Sequence, residues 1–440
     1  MIKISPLEGI TYNLNAVNIS DVVAPPYDVI SEKEQEELYN LSPNNIVRLI
    51  LGKILPDDND KNNRYTRAAS DFKKWLSQNV LKKADNPCIY YYIQEYTTSK
   101  KEFIARKGFI ASNRIEDFSK DTVMPHEYTM GGPKADRLKL MKECKANFSQ
   151  IFMLYSDPEK EVDKVFTLPE KPFIDVTDKQ GVRNIVYIID DTSIIDKITK
   201  LMSDKTLLIA DGHHRYETSI AYRNYMREQN PNFKEDDKFN FVMSYFTNLD
   251  DENLKVFPTH RIITRNLNSE KLLDDLKKYF DIKEYSFNSE NKEQIRDQFT
   301  KDLESQSNEN IVFGAYFKNV DKYYLISLRD KDAVNKVLEK KEVPPVLRKL
   351  DLTVLHKIVI SDMLAFSDDD QMKQNGIAYI KKEEEALEAV ESNAAEVVFI
   401  MASPKIQAIK DVSKEGYRMP QKSTYFYPKL LSGLVLNPLD

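Results

Sequence analysis

The feature that most constrains the fold of this 440-residue chain is an apolar strand that leads through a polar loop into a helix. Leu207–Ala210 predicts a buried strand, and Asp211-Gly212-His213-His214-Arg215 carries the chain into the helix. Gly212 tolerates backbone angles that other residues avoid. The free N–H groups of a helix start favour an anion, and Arg215 adds a forked donor suited to phosphate. We interpret the junction as an anion site; the alternative is that Asp211 caps the helix and the histidines only pack.

Composition narrows the class of protein. With 41% hydrophobic and 30% charged residues, the chain can build an interior and a solvated surface, and its length suggests two or three lobes. A net charge of −6 argues against a DNA-binding protein. The two cysteines, Cys88 and Cys144, form no CxxC, and we find neither a signal peptide nor an apolar run of about 18 residues. We expect a cytoplasmic protein with no membrane partner.

Strands alternate with helices along the whole sequence, which predicts the α/β (α+β) class. Phe241–Phe246 and Leu254–Pro258 suggest a pair of strands joined by a turn, and Glu270–Phe280 a helix. We place a division after residue 267, giving domains 1–267 and 268–440. The second is an α/β lobe whose end, 418–429, is expected to fold back onto the anion site.

A second motif runs from Met124 to Arg137 and contains two of the eleven glycines. Its His126-Glu127 pair offers a base or a metal ligand. Lys134 and Arg137 would add positive charge from one face of a helix that begins near Lys134. The alternative interpretation is a solvated loop with incidental charges.

Two further motifs lie beyond residue 255. His260-Arg261 repeats the residue types of His214-Arg215, although a structural strand end explains it equally well. In the segment 418–429, side chains of Lys422, Ser423 and Thr424 are suited to phosphate oxygens, or the segment is a C-terminal strand that packs on the body.

Taken in order, VAPPYDVI, HEYTMGGPKADRLKLMKECKANFSQIF, IADGHHRYET, FPTHRI and MPQKSTYFYPK resemble the prokaryotic family catalogued as domain of unknown function 1015. The resemblance runs from about Val22 to Leu434. DGHHR is also similar to the fingerprint of the ParB/sulfiredoxin superfamily, which includes CTP-hydrolysing partition proteins, sulfiredoxins and free-serine kinases. It is most similar to the kinases. The resemblance implies a ParB/sulfiredoxin-like core built around the strand–DGHHR–helix unit.

Two departures from the superfamily exclude other activities. Sulfiredoxins need a reactive cysteine before the His-Arg pair, and this chain has His213 there, which removes thiol chemistry. Partition proteins carry a DNA-binding helix-turn-helix after the nucleotide domain, and no basic recognition helix follows residue 226. Neither a P-loop nor a protein-kinase signature is present.

The resemblance implies a nucleotide-dependent phosphotransferase acting on a small hydroxyl substrate, with free serine the best candidate and ATP or ADP with Mg²⁺ as cofactor. Asp28, Glu127 and Asp211 are unranked candidates for the base, and His214 is a further catalytic candidate. The phosphate-binding candidates share a donor side chain or a permissive backbone within these motifs: Gly212, His213, Arg215, His126, Lys134, Arg137, His260, Arg261, Lys422, Ser423 and Thr424.

Two other functions stay open. A metal-dependent phosphohydrolase would draw ligands from His126, Glu127, Asp211, His213 and His214, but the surrounding arginines and lysines argue against a cation there, so we expect no protein-held metal. A non-catalytic nucleotide-binding regulator is the other. In each case the partners are a nucleotide and a small molecule, and the sequence does not indicate an oligomeric state.

Overall fold

The computed structural model describes residues 1–98, 101–119, 121–127, 131–420 and 422–440, with backbone alone at 131–133. Tyr128, Thr129 and Met130 of the second motif, and Gln421 of the last, therefore lie outside the described residues. The chain splits into two compact units: Met1–Lys255 with Pro428–Asp440, and Val256–Tyr427. The sequence predicts a division after residue 267, whereas in the structure 256–267 belong to the second unit and 428–440 to the first.

The first unit is described here in chain order. Its strands are β1 (Ile4–Ser5), β2 (Ile10–Tyr12), β3 (Leu81–Lys83), β4 (Ile89–Thr97), β5 (Phe103–Arg114), β6 (Val123–Pro125), β7 (Ala146–Asn147), β8 (Ile151–Tyr155), β9 (Ile174–Thr177), β10 (Arg183–Ile189), β11 (Leu207–Asp211) and β12 (Phe241–Asn248). Its helices are α1 (Ile19–Val22), α2 (Glu32–Leu41), α3 (Val47–Ile50), α4 (Arg64–Ser77), α5 (Gly131–Cys144), α6 (Glu161–Val165), α7 (Thr192–Met202) and α8 (His213–Gln229).

A mixed sheet organises this unit, with the order β6-β11-β8-β12-β5-β4-β10-β9 and β1 paired to β5. Strand β11 lies parallel to β6 and antiparallel to β8, so the chain leaves β11 beside the end of β6. Strand β12 pairs with β5 and β8. The hairpin that we predicted between Phe241–Phe246 and Leu254–Pro258 is therefore wrong. All eight residues of β12 are buried, as expected of a central strand covered on both faces.

Apolar residues hold α7 and α8 against one face of this sheet. Helix α7 buries Ile195, Ile198 and Met202 at helical spacing, and they share a core with Ile209 and Phe246 of the sheet. A second core surrounds Trp75 of α4 and includes residues of α2, α3 and α5. Helix α5 packs on both α4 and α8, which places the second motif beside the DGHHR helix.

The second unit continues the numbering. Its strands are β13 (Lys255–Phe257), β14 (His260–Ile263), β15 (Phe280–Ser286), β16 (Val312–Phe317), β17 (Lys322–Leu328), β18 (Ile377–Ile380), β19 (Val397–Ile400) and β20 (Tyr425–Tyr427); β21 (Asn437–Pro438) then belongs to the first unit. Its helices are α9 (Ser269–Leu276), α10 (Lys292–Ser307), α11 (Lys331–Lys340), α12 (Asp351–Val354), a π-helix (Leu355–Met363), α13 (Asp368–Lys373), α14 (Glu383–Glu391) and α15 (Ile406–Lys414).

A six-stranded sheet of order β15-β17-β16-β19-β14-β18 forms the centre of this unit. Separate apolar cores lie around Phe313 and around Phe299. The helix predicted over Glu270–Phe280 ends at Leu276, and the following residues turn into β15. Both units combine helices with a sheet, so the predicted α/β class is confirmed.

Candidate functional site

The candidate site begins where β11 ends and α8 starts. Gly212 stands between them with φ 94° and ψ 27°, in the left-handed region that an L-residue with a side chain rarely adopts. The guanidinium of Arg215 folds back over it, so that a Cβ at position 212 would lie 3.0 Å from that group. No side chain caps α8. Its first-turn N–H groups and the positive end of its dipole therefore face the end of the strand.

Asp211 forms the centre of a charged triad. Its Oδ2 accepts a hydrogen bond from Nη2 of Arg215 at 2.6 Å, and its Oδ1 accepts one from Nζ of Lys429. Arg215 also donates from Nη1 to the carbonyl of Gln150. Burial by itself raises the pKa of Asp211, but the two cations outweigh it and hold that pKa well below the usual range. Asp211 is thus an ionised anchor between two cations, and not the helix cap considered above.

Sequence reasoning missed Lys429 as a site residue, although the last motif ended on it. The segment that carries it is held from the sheet: Gln94 Nε2 donates to the carbonyl of Lys429 at 3.0 Å, and Arg106 donates to that of Pro428 at 2.6 Å. Arg106 is 1% exposed and lies 4.6 Å from the Phe152 ring, a cation–π distance. Gln94 and Arg106 gave no local signal, because they lie in strands far from the motif in sequence.

His126 and His213 contact each other. The rings pack edge to face with centroids 4.7 Å apart, and the backbone N–H of His126 donates to Nε2 of His213 at 3.3 Å. His126 Nδ1 lies 2.5 Å from the carbonyl of Ile209, which can only accept, so Nδ1 carries the proton. Burial lowers the pKa of His126 and keeps it neutral. The pair joins β6 to the start of α8, with His213 Nε2 engaged as an acceptor.

The cations of the second motif lie on α5 and contact neighbouring elements. Lys134 forms an ion pair with Glu217 of α8. Arg137 is buried; it pairs with Asp136, donates from Nη1 to the carbonyl of Ile50 at 2.6 Å, and stacks 4.1 Å from the Tyr27 ring. Of these two cations, Arg137 is the one that lines a cleft with Arg215.

That cleft, of about 50 Å³, lies between α5, α8 and the segment that carries Tyr27. Arg137 and Arg215 line it from the two helices, and Ser149 and Ser219 add hydroxyl groups. Asp28 follows Tyr27 and is exposed. Glu127 is half-buried beside His126 in the short segment after β6, and His214 is half-buried in the first turn of α8. The cleft therefore combines two guanidinium groups with two hydroxyl groups that are already hydrogen-bonded within the protein, and an exposed carboxylate lies next to Tyr27.

The remaining predicted phosphate ligands belong to the second unit. Arg261 is fully buried and donates to the carbonyls of Thr259 and Lys422 and, at 3.1 Å, to Nε2 of His356. His260 Nδ1 accepts from the Met401 N–H at 3.2 Å. The phosphate-binding role of these two residues stays a prediction.

The last motif is divided between the units: 422–424 lie in the second, whereas Pro428 and Lys429 lie in the first. Ser423 is completely buried and donates to the carbonyl of Pro420. The roles of Lys422, Ser423 and Thr424 at a phosphate site also stay predictions. Lys429 is the residue of this motif that contacts Asp211.

In the ranges that the structure covers, no group of three His, Cys, Asp or Glu side chains is arranged to hold a metal ion. No helix in those ranges is long and apolar enough to cross a membrane.

The fold and site define a mixed α/β protein in which a strand–glycine–helix junction meets a cleft lined by two arginines. The sequence model described as "Protein of unknown function (DUF1015)" matches residues 4–353. The chain therefore belongs to that family, as its motifs indicated. None of the curated protein sequences matches it.

Three solved structures are similar to this chain at low sequence identity and low TM-score. A conserved hypothetical protein from Pyrococcus furiosus is 15% identical with a TM-score of 0.31, covering 71% of this chain and 91% of that one. A free serine kinase in complex with AMP is 15% identical with a TM-score of 0.32, covering 71% and 88%. C-terminally truncated SbnI from Staphylococcus aureus is 10% identical with a TM-score of 0.34, covering 74% and 87%. At these scores the likeness carries no argument about activity.

Proposed function

We propose that this protein is a nucleotide-dependent phosphotransferase that phosphorylates a small hydroxyl compound. The observation that carries the proposal is the meeting of Arg137 and Arg215 in one cleft at the first turns of α8, after the left-handed Gly212. Phosphoryl transfer needs positioning and charge neutralisation more than covalent chemistry. Two forked cations beside a helix N-terminus supply both.

Each arginine is anchored by only part of its guanidinium. Arg215 uses two of its five N–H groups, toward Asp211 and Gln150, and Arg137 uses three, toward Asp136 and Ile50. The other N–H groups of both have no acceptor among the described residues. Because the anchored bonds fix the planes of the two groups, their remaining donors are pre-oriented for phosphate oxygens.

The cleft, of about 50 Å³, suits the phosphate end of a nucleotide cofactor, because its donor set is cationic and matches phosphate oxygens. A bound ATP or ADP supplies the phosphoryl group, with Mg²⁺ neutralising part of its charge. We assign no protein ligand to that Mg²⁺. In this scheme His126 and His213 position the start of α8, and Arg137 and Arg215 bind phosphate.

Among the three candidate bases we favour Asp28. A general base works best when its pKa lies near the operating pH, and the pKa of Asp211 is held far below that by Lys429 and Arg215. Asp211 is therefore a positioning residue for the two cations. Asp28 is exposed and adjoins Tyr27, which lines the cleft. An acceptor hydroxyl that enters from solvent would meet this carboxylate first.

Free serine is the proposed acceptor. The choice depends on the DGHHR motif, which resembles that of free-serine kinases.

Product detection tests the proposal. Purified protein is incubated with serine and ATP or ADP, and O-phosphoserine is measured by mass spectrometry. We expect turnover by the wild type and a loss of about 100-fold or more in Asp28→Asn, which removes the base without disturbing a buried contact. Asp196→Asn, an exposed carboxamide change on α7, is the matched control and should keep full activity.

Three results would contradict the proposal. Full activity in Asp28→Asn would reject Asp28 as the base. Phosphate release without a phosphorylated acceptor would favour the phosphohydrolase. Nucleotide binding without any turnover, over a panel of hydroxy amino acids, would favour the regulator.

A further inference from the structure

A cavity among the described residues lies in the second unit, within that unit alone, and none of the motifs lines it except through Met419. Its volume is about 300 Å³, at the lower end of the range for small-molecule sites. It opens at the end of the six-stranded sheet where β16 begins and where β17 and β19 end. The first residues of α11, α12 and α15 lie around it.

Cationic side chains outnumber acidic ones around this cavity. Four are cationic and two are acidic: Lys331, Arg348, Lys349, Lys405, Glu309 and Asp351. The lysines and Glu309 are exposed and form the rim, whereas Arg348 and Asp351 are partly buried and lie deeper. The excess of cations favours a ligand with an anionic group. The deeper carboxylate, Asp351, would repel a ligand that carried only negative charge.

One hydrogen bond to the protein fixes the Arg348 guanidinium. Its Nε donates to the carbonyl of Val343 at 2.6 Å. The two terminal nitrogens have no acceptor in the ranges that the structure describes. A guanidinium fixed at Nε presents its terminal donors as a fork, which matches a carboxylate.

Asp351 adds a carboxylate to the lining, which a site for a simple anion would not need. Burial raises its pKa to about 7, against a hydrogen bond from the backbone of Val312 and the charge of Lys405. Lys405 is itself engaged, with Nζ 3.0 Å from the carbonyl of Asn308. An added cation beside Asp351 would stabilise its ionised form, whereas an added anion would favour the neutral form.

The interior of the cavity is apolar. Buried side chains of Leu350, Leu352, Met401 and Met419 line it together with Val334. A compact inorganic anion would leave this surface in contact with water. An apolar group of a ligand would cover it, at about 25 cal/mol per Å² buried.

We propose that the cavity binds a free α-amino acid with an apolar side chain, its carboxylate on Arg348, its ammonium group on Asp351 and its side chain on Leu350, Leu352 and Met401. Each part of the ligand matches one feature of the cavity: its carboxylate matches the fork of Arg348, its ammonium group the partly buried carboxylate of Asp351, and its side chain the apolar interior. The site lies in the second unit and is independent of the phosphotransferase proposal.

Calorimetric titration of the full chain with leucine, methionine and phenylalanine tests the proposal. We expect at least one to bind with a dissociation constant of about 1 mM or tighter. 4-Methylpentanoate lacks the ammonium group and 3-methylbutylamine lacks the carboxylate, so each should bind leucine's site at least about tenfold more weakly than leucine. Inorganic phosphate should not compete.

The proton balance gives a separate readout. Because the ammonium group stabilises the ionised form of Asp351, binding at pH 7 should release protons, measured in buffers of different ionisation enthalpy. Proton uptake would show that an anion alone fills the cavity and would overturn the proposal. Glu309, Lys331, Arg348, Lys349 and Lys405 are the other charged groups that face the cavity.

Variants locate the site. Arg348→Gln and Asp351→Asn should each weaken binding at least about tenfold. Ala408→Trp, which fills the cavity without changing a charge, should abolish binding. Lys340→Gln, an exposed change on α11 away from the cavity, is the control. Thermal unfolding shows that each variant is folded.

The proposal is overturned if none of the amino acids binds at about 10 mM, if both truncated analogues bind as well as leucine, or if binding survives in folded Arg348→Gln and Ala408→Trp. Because none of these readouts uses nucleotide or phosphoserine, failure here leaves the phosphotransferase proposal untouched.

Discussion

At the scale of single residues, Gly212 gives a clear prediction. Gly212→Ala places a side chain in the left-handed region and 3.0 Å from the Arg215 guanidinium, which must then move. We expect a loss of about 2 kcal/mol in the free energy of unfolding, measured with urea, and a nucleotide affinity at least about tenfold lower, measured by titration.

Gly181 supplies the matched control. It has a similar φ of 80°, but a Cβ there meets nothing within 4 Å. Gly181→Ala should cost about 1 kcal/mol for the backbone alone and leave nucleotide binding unchanged. Equal effects of the two substitutions would mean that the contact with Arg215 has no role of its own.

The part of the site that the sequence predicts depends on how far apart in sequence the contacting residues lie. The roles of Gly212 and Arg215 follow from a strand, a turn and a helix start within nine residues, so local chemistry suggests them. The ionic contact of Asp211 with Lys429 joins positions 218 residues apart, and no local pattern encodes it. Arg137 was predicted as a cation, but its bond to the Ile50 carbonyl depends on how α3 and α5 pack.

At the scale of elements, the buried histidine network of the second unit gives a prediction about pH. His356 Nδ1 lies 2.7 Å from Gln371 Oε1, and its Nε2 accepts from Arg261. Burial, and next the Arg261 charge, lower the pKa of His356 to about 3. The unfolded chain takes up a proton below about pH 6.5 and the folded protein does not. The contribution of His356 to stability is therefore complete above that pH and is lost progressively toward pH 3.

Urea unfolding at several pH values checks this. In His356→Gln the fall in unfolding free energy between about pH 6 and 4.5 should be shallower by about 1.4 kcal/mol per pH unit than in the wild type. His260, with a pKa lowered to about 4 by burial and Arg261, retains part of the slope. An identical slope in both proteins would show that His356 is not held neutral.

Strands and helices were predicted well where a local sequence pattern marks them. The pairing of a strand that is buried on both faces was predicted poorly. The strand Leu207–Ala210 was predicted to within one residue, and the helix expected after Gly212 begins at His213. The partner of Phe241–Phe246 was not, because a strand buried on both faces shows no alternation that fixes its neighbours. The next apolar segment in sequence was chosen, and β12 pairs with β5 and β8 instead.

At the scale of the whole molecule, the chain's end completes the first unit. Residues 428–440 return to it, and the Leu436 and Ser432 backbones pair with Ile10 and Ala24. Sequence could suggest that the end folds back, because a dense aromatic motif near a terminus needs a surface to cover. It could not show that the chain leaves the first unit at Lys255 and re-enters it at Pro428, since the first crossing falls within strand β13 and the second inside the last motif.

Truncation after Tyr427 should therefore prevent the first unit from folding. It removes buried side chains that share the interior: Leu430, Leu431, Leu434, Val435, Leu436 and Leu439. Their burial contributes about 10 kcal/mol, comparable with the whole stability of a domain. Circular dichroism and limited proteolysis measure the loss, and a chain shortened only by the exposed Asp440 is the control. A folded first unit in the longer truncation would contradict this account.

A crystal structure with ADP and serine would test whether Arg137 and Arg215 hold nucleotide phosphate at the start of α8. We expect a phosphate within hydrogen-bond distance of Arg215 and of the first-turn N–H groups of α8, with the serine hydroxyl next to Asp28. A nucleotide bound elsewhere, with the cleft between α5 and α8 unchanged, would contradict it.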